Sequence, residues 1–150
     1  MATGWREQYE RVKRWRKRVQ HAGEDASDVR DTFFAFAQAC YHLVDWLAND
    51  TSQPIRRSAA EKFVKESAIL HACRDICNGS KHARLEAKKV GVKDRPIRLG
   101  HETCIWALSV EYDSVSYTTS WFARLCIAEW NRFLGENGLL TPSVRGAKGK

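Results

Sequence analysis

The sequence predicts a mainly α fold: a compact four-helix bundle with an inserted β-hairpin near residues 103–117. Three observations carry that expectation. Apolar residues recur at helical spacing over four long segments. On two of those segments the polar residues are gathered into narrow sectors instead of being scattered. Only one stretch, from Cys104 to Tyr112, alternates with a period of two.

A chain of 150 residues fits one domain with a core of its own. The net charge of +7, with a pI near 9.3, favours anionic partners such as RNA, DNA or acidic proteins. No apolar run approaches the ~20 residues that cross a bilayer, and the first residues carry no secretory pattern. The five cysteines, an odd number, sit mostly inside apolar patterns, as expected for reduced thiols. The expected localisation is cytoplasmic, with no membrane partner.

The first helix is expected over residues 3–20, with a narrow apolar stripe of Trp5, Val12, Trp15 and Val19. Arg6, Arg11, Lys13, Arg14, Lys17 and Arg18 cover most of its remaining surface. This face reads either as a phosphate-gripping surface or as a solvated outer face diluted by Glu7 and Glu10. A break follows, and Asp25, Ser27 or Asp28 can cap the second helix, over residues 28–49. Phe33, Phe36, Ala37, Cys40, Val44 and Leu47 give that helix a broad apolar face, so it is expected at the centre of the core. Asp31, Gln38, His42 and Asp45 share a sector of about 60°, which either lines a groove or reaches solvent.

Residues 49–54 are rich in breakers and turn the chain. The third helix is expected over residues 55–82, antiparallel to the second. Pairing by distance from the turn sets residues 75–78 opposite residues 27–30, and His42 opposite Phe63. The His42/Asp45 and Asn78/His82 pairs then fall at opposite ends of the helix pair. Residues 83–100 look like a basic loop. In the hairpin Trp106, Leu108 and Val110 share one side, Ser109 and Glu111 the other, and Asp113-Ser114 turns the chain. Thr118 and Thr119 open the last helix, where Phe122, Leu125, Cys126, Glu129, Trp130, Phe133 and Leu134 repeat at helical spacing up to Gly135 or Gly138. No repeat or linker divides the chain. Residues 1–142 are expected as a single helical domain and residues 143–150 as a disordered basic tail.

Candidate chemistry concentrates at the end of the third helix. At about 100° per residue, His71, Asp75, Asn78 and His82 fall within a sector of about 60°, flanked by Arg74 and Lys81. Ile69, Ala72, Cys73, Ile76 and Cys77 lie opposite. That separation argues against zinc at His71, Cys73, Cys77 and His82, because ligands on opposite faces of one helix cannot converge. These cysteines read as small buried hydrophobes, and no metal or other cofactor is expected. There is no Gly-rich phosphate loop, no Gly-x-Ser-x-Gly and no dinucleotide fingerprint, so enzymes built on those devices are not expected.

Cleavage of RNA needs one group to take the 2′-OH proton, one to protonate the leaving oxygen, and positive charge on the phosphate. Histidine suits the first two tasks and arginine the third. His82, His71, Arg74 and Lys81 can supply them, with Asn78 as a positioning group. The plainer reading is that Arg74 and Asp75 pair locally, Asn78-Gly79 ends the helix, and His82 meets its C-terminal dipole.

On Arg74-Asp75 and His82 the chain resembles the HEPN superfamily of helical domains in prokaryotic toxins and antiviral systems, many of them metal-independent RNases. Their motif sets a histidine four to six residues beyond an arginine and a polar residue; the interval here is longer. The segments Cys40-Tyr-His42-Leu-Val-Asp45-Trp46 and Asp75-Ile-Cys-Asn78-Gly-Ser-Lys81-His82 resemble a narrower set of small bacterial proteins of undescribed activity. The resemblance covers the second and third helices.

It implies a HEPN-like bundle and a homodimer in which Arg74, Asp75, Asn78 and His82 of each chain meet as one catalytic site. Cleavage would leave a 2′,3′-cyclic phosphate. Lys81 and Arg84 beside this site, with Arg14, Lys17 and Arg18 on the first helix, are the expected RNA-binding residues. The setting implied is a bacterial or phage defence or toxin–antitoxin system. The alternative is a non-catalytic accessory subunit that turns the same polar face to a protein partner. The long motif interval and the flexible Gly79 favour that alternative.

Overall fold

The computed structural model describes residues 4–22, 25–52, 55–81, 90–99 and 103–140. Among these residues the chain is mainly helical. Five helices, α1 (Trp5–Gln20), α2 (Ala26–Asn49), α3 (Arg57–Glu66), α4 (Ala68–Lys81) and α5 (Thr119–Glu136), accompany a three-stranded antiparallel sheet of β1 (Val90–Leu99), β2 (Thr103–Tyr112) and β3 (Val115–Thr118). The expected tail over residues 143–150 lies outside the described residues. None of the helices is long and apolar enough to cross a membrane.

α2 is the central helix and packs against α1, α3, α4 and α5. Phe33, Phe36, Ala37, Cys40, Leu43 and Leu47 are fully buried, as its pattern requires. Each large apolar side chain contributes about 1.5–3 kcal/mol by leaving water. Phe33 meets Phe122 of α5 edge-to-face at 6.0 Å. The carboxylate of Asp25 caps α2 by accepting from the backbone N–H groups of Ser27 and Asp28.

α1 buries Trp5, Tyr9, Val12 and Val19, together with Gln8. Gln8 is tolerated there because its Nε2 donates to the Ala39 carbonyl of α2 at 2.7 Å. Asp50, just past α2, accepts from the Trp5 backbone N–H at 3.1 Å and so satisfies one of the orphan donors at the start of α1. Gly4 makes this approach possible: its φ is +90°, and a Cβ there would stand 2.1 Å from the Asp50 carboxylate.

The single third helix expected over 55–82 is instead two helices broken at Ser67. Ser67 has an extended backbone, φ −82° and ψ 114°. Its N–H closes α3 on the Phe63 carbonyl at 2.9 Å, and its carbonyl opens α4 by accepting from the His71 N–H at 2.8 Å. Its hydroxyl accepts from the Leu70 N–H at 3.3 Å. The break displaces the register. Cys73 reaches the Ala37 carbonyl of α2, about a turn further along than pairing by distance from the turn requires.

Two further expectations are corrected. Part of the presumed basic loop is a strand, because residues 90–99 pair throughout with β2, from Val90↔Tyr112 to Leu99↔Thr103. Pro96 is compatible with this position because β1 is an edge strand, where a missing N–H can face away from the ladder. Asn78-Gly79 does not end α4, which continues to Lys81.

The expected hairpin is present as β2 and β3. Asp113 and Ser114 both take positive φ, 48° and 66°, which matches the twist of a two-residue hairpin turn. Val92, Val110 and Tyr117 form one cross-strand row, with Val110 fully buried and its two neighbours packed against the core. Thr118 caps α5 by accepting from the Trp121 N–H at 3.1 Å.

Candidate functional site

The break at Ser67 builds the polar cluster on α4. Ending α3 leaves carbonyls without helical partners, and the Lys65 carbonyl is met by His71 Nδ1 at 3.3 Å. The other ring nitrogen, Nε2, lies 2.6 Å from Nη2 of Arg74. A guanidinium can only donate, so Nε2 accepts and the ring proton sits on Nδ1, where it donates to Lys65. His71 is therefore the neutral Nδ1–H tautomer. Arg74 also donates through Nε and Nη2 to Oδ1 of Asp75, at 3.2 and 3.1 Å. Oδ2 of Asp75 lies 3.6 Å from His71 Nε2.

Arg74 and His71 are about one-third exposed, and Asp75 is more enclosed. Arg74 borders a groove of about 450 Å³ between α2, α3 and α4, lined also by Tyr41, Ser58, Glu61, Lys62 and Lys65. Burial pushes the Tyr41 phenol above its ordinary range, against the pull of the Arg74 guanidinium, so the ring presents a neutral hydroxyl. The groove combines three cations, one acid, an aromatic ring and hydroxyl groups, a lining suited to phosphate and base contacts.

Of the four expected catalytic residues, the structure brings Arg74 and Asp75 together and leaves Asn78 exposed one turn further on. His82 and Arg84 lie outside the described residues. Lys81 ends α4. His71 is the partner of Arg74, and Tyr41, Lys62 and Lys65 join from elements that sequence spacing does not link to it. The polar strip on α2 reaches solvent: Asp31, Gln38, His42 and Asp45 are exposed. Asp45 pairs with Arg57 of α3 at 2.5 Å.

A second cationic surface lies between α1 and α5. A groove of about 290 Å³ is lined by Tyr9, Lys13, Arg16, Lys17, Arg124 and Asn131. Tyr9 donates its hydroxyl to Asn131 Oδ1. Of the three expected RNA-binding residues on the first helix, only Lys17 lines this groove. Arg14 is exposed elsewhere and Arg18 stacks over the Trp15 ring at 4.5 Å. The sequence holds one signal for this face, since Lys13, Arg16 and Lys17 share a helical sector of about 100°. Nothing local ties Arg124 to them.

Comparison of the chain with protein-family models, with curated proteins and with solved structures finds no match.

Proposed function

We propose that this protein is a HEPN-like RNA-binding protein and a metal-independent endoribonuclease, acting as a homodimer in a bacterial or phage defence or toxin–antitoxin system. The observation that carries the proposal is the pairing of Arg74 with a neutral His71 on the rim of a cationic groove. An arginine placed to bind phosphate bidentately stands beside an imidazole whose free-base nitrogen points at it.

An RNA phosphate entering the groove would draw the Arg74 guanidinium onto its oxygens and release His71 Nε2. That nitrogen then accepts the 2′-OH proton as the 2′ oxygen attacks phosphorus. The 5′ oxygen leaves with a proton from the second histidine, His82. The products are a 2′,3′-cyclic phosphate and a 5′-OH. Asp75 holds Arg74 in place, and Asn78 orients the phosphate from the next turn.

A second reading, an accessory subunit that binds a protein partner, draws on one observation. Trp121 and Val115 are large apolar side chains about half exposed, near the junction of β3 and α5.

Incubation with RNA in EDTA separates the readings. Cleavage by the wild type that leaves a cyclic phosphate end, and that is lost in Arg74→Ala, His71→Ala and His82→Ala, supports the nuclease. A folded protein that neither binds nor cuts RNA overturns it and favours the accessory subunit.

A further inference from the structure

Three of the cysteines, spread over the sequence, meet in the core. Cys40 of α2, Cys73 of α4 and Cys126 of α5 place their sulfurs within 4.8 Å of one another. All three are at most 1% exposed and none is in a disulfide. Beside Cys40 lies the indole of Trp130, also fully buried, whose Nε1–H is turned toward the Cys40 sulfur without completing a hydrogen bond to it. A buried N–H without an acceptor costs free energy unless something at the site supplies one. A thiolate sulfur next to it would do so.

We propose that Cys40, Cys73 and Cys126 form a buried three-sulfur site for a soft, three-coordinate ion, and that trivalent arsenic is the species it fits. Trivalent arsenic keeps a lone pair and binds three thiolates as a pyramid, and bonds of about 2.3 Å at angles of about 95–100° set the sulfurs about 3.5 Å apart. The sulfurs, within 4.8 Å of one another, therefore each move inward by about 0.8 Å or less.

Charge selects the ion. Three thiolates around a trivalent centre sum to zero, the one total an apolar interior accepts without penalty. Zinc would leave a net negative charge and asks for a fourth ligand, which the described residues do not offer among His, Cys, Asp and Glu. Copper(I) with three thiolates would leave two negative charges. The reaction is a ligand exchange without oxidation or reduction: arsenous acid, As(OH)3, gives up its three hydroxyls, the three thiols give up their protons, three As–S bonds form, and three waters leave. The neutral acid enters when the helices part, so loading is slow in the native protein and fast during refolding.

The test uses the full chain, reduced, unfolded in denaturant and refolded with sodium arsenite. Native mass spectrometry should show one arsenic per chain, less three protons, and the Tm should rise. Cys40→Ala, Cys73→Ala and Cys126→Ala should each lower occupancy at least tenfold, whereas a Cys77→Ala/Cys104→Ala protein should retain it. X-ray absorption on the loaded wild type should count three sulfurs around arsenic, an answer that holds even where a variant fails to fold. A refolded wild type without arsenic, a count of two sulfurs, or loss of arsenic in the Cys77/Cys104 variant would overturn the site. Displacement of arsenic by equimolar zinc or copper(I) would overturn the choice of ion.

Discussion

Arg74 fixes the tautomer of His71. Its Nη2 donates to Nε2 at 2.6 Å, while the proton on Nδ1 is held by the Lys65 carbonyl at the end of α3. The guanidinium and a candidate base are thereby stored as one hydrogen-bonded unit, and the unit exists because α3 stops where it does.

Nitrogen NMR of the imidazoles at mildly alkaline pH should find His71 as the Nδ1–H form. Arg74→Ala removes the donor to Nε2 and should admit the Nε2–H form, with the fold unchanged. A wild-type His71 already protonated on Nε2 would contradict the arrangement.

The α1–α5 groove makes a separate prediction. Lys17→Glu and Arg124→Glu should each weaken RNA binding about equally across sequences. Each should also reduce the slope of log affinity against log salt by about 0.7–0.9, as expected when one phosphate contact is lost. Arg18→Glu, on a residue stacked over Trp15, should change the slope much less. Filter binding over a salt series decides between a built groove and a diffuse positive surface.

Ser67 and Glu129 tie the α3–α4 break to α5. Hydrogen bonds from Arg132 and from the Ser67 hydroxyl hold the Glu129 carboxyl below the usual range against the opposing effect of burial, the Arg132 bond being the largest influence. A carboxyl whose folded value is depressed stabilises the fold fully above its unfolded value, and that stability is lost as pH falls through the folded value. Glu129→Gln should therefore be less stable than wild type at neutral pH, and the gap should close in acid. Partial exposure of Glu129 keeps the effect small. Ser67→Ala, which removes the cap of α4 as well, should cost about 1 kcal/mol. Denaturant melts at several pH values test both.

The hairpin turn should be improvable. Asp113 and Ser114 adopt positive φ without being glycine. Ser114→Gly relieves a left-handed conformation that costs a side-chain-bearing residue about 1–2 kcal/mol, partly offset by the greater entropy of an unfolded glycine. A net gain of about 0.5–1 kcal/mol is expected in chemical denaturation. A loss would show that Ser114 makes contacts that outweigh the strain.

The sequence by itself determined what depends on periodicity and local chemistry. The apolar faces of α1, α2 and α5, the Asp25 and Thr118 caps, and the Asp113-Ser114 hairpin all follow from residues close in the chain. So does the crowding of polar groups around Arg74. Tertiary structure decided what depends on neighbours distant in sequence. The break at Ser67 was hidden because Ser is tolerated within a helix and the apolar pattern runs through it; hydrogen bonds to Leu70 and Glu129 hold it. β1 was hidden because Val90 and Val92 are out of phase with Ile97 and Leu99 and Pro96 interrupts the run, and only pairing with β2 makes a strand of them. The three core sulfurs come from three different helices, and Arg124 joins Lys17 across two. One helix can sort its own faces, but which faces meet is set by packing, and both the Arg74 groove and the sulfur cluster are products of that packing.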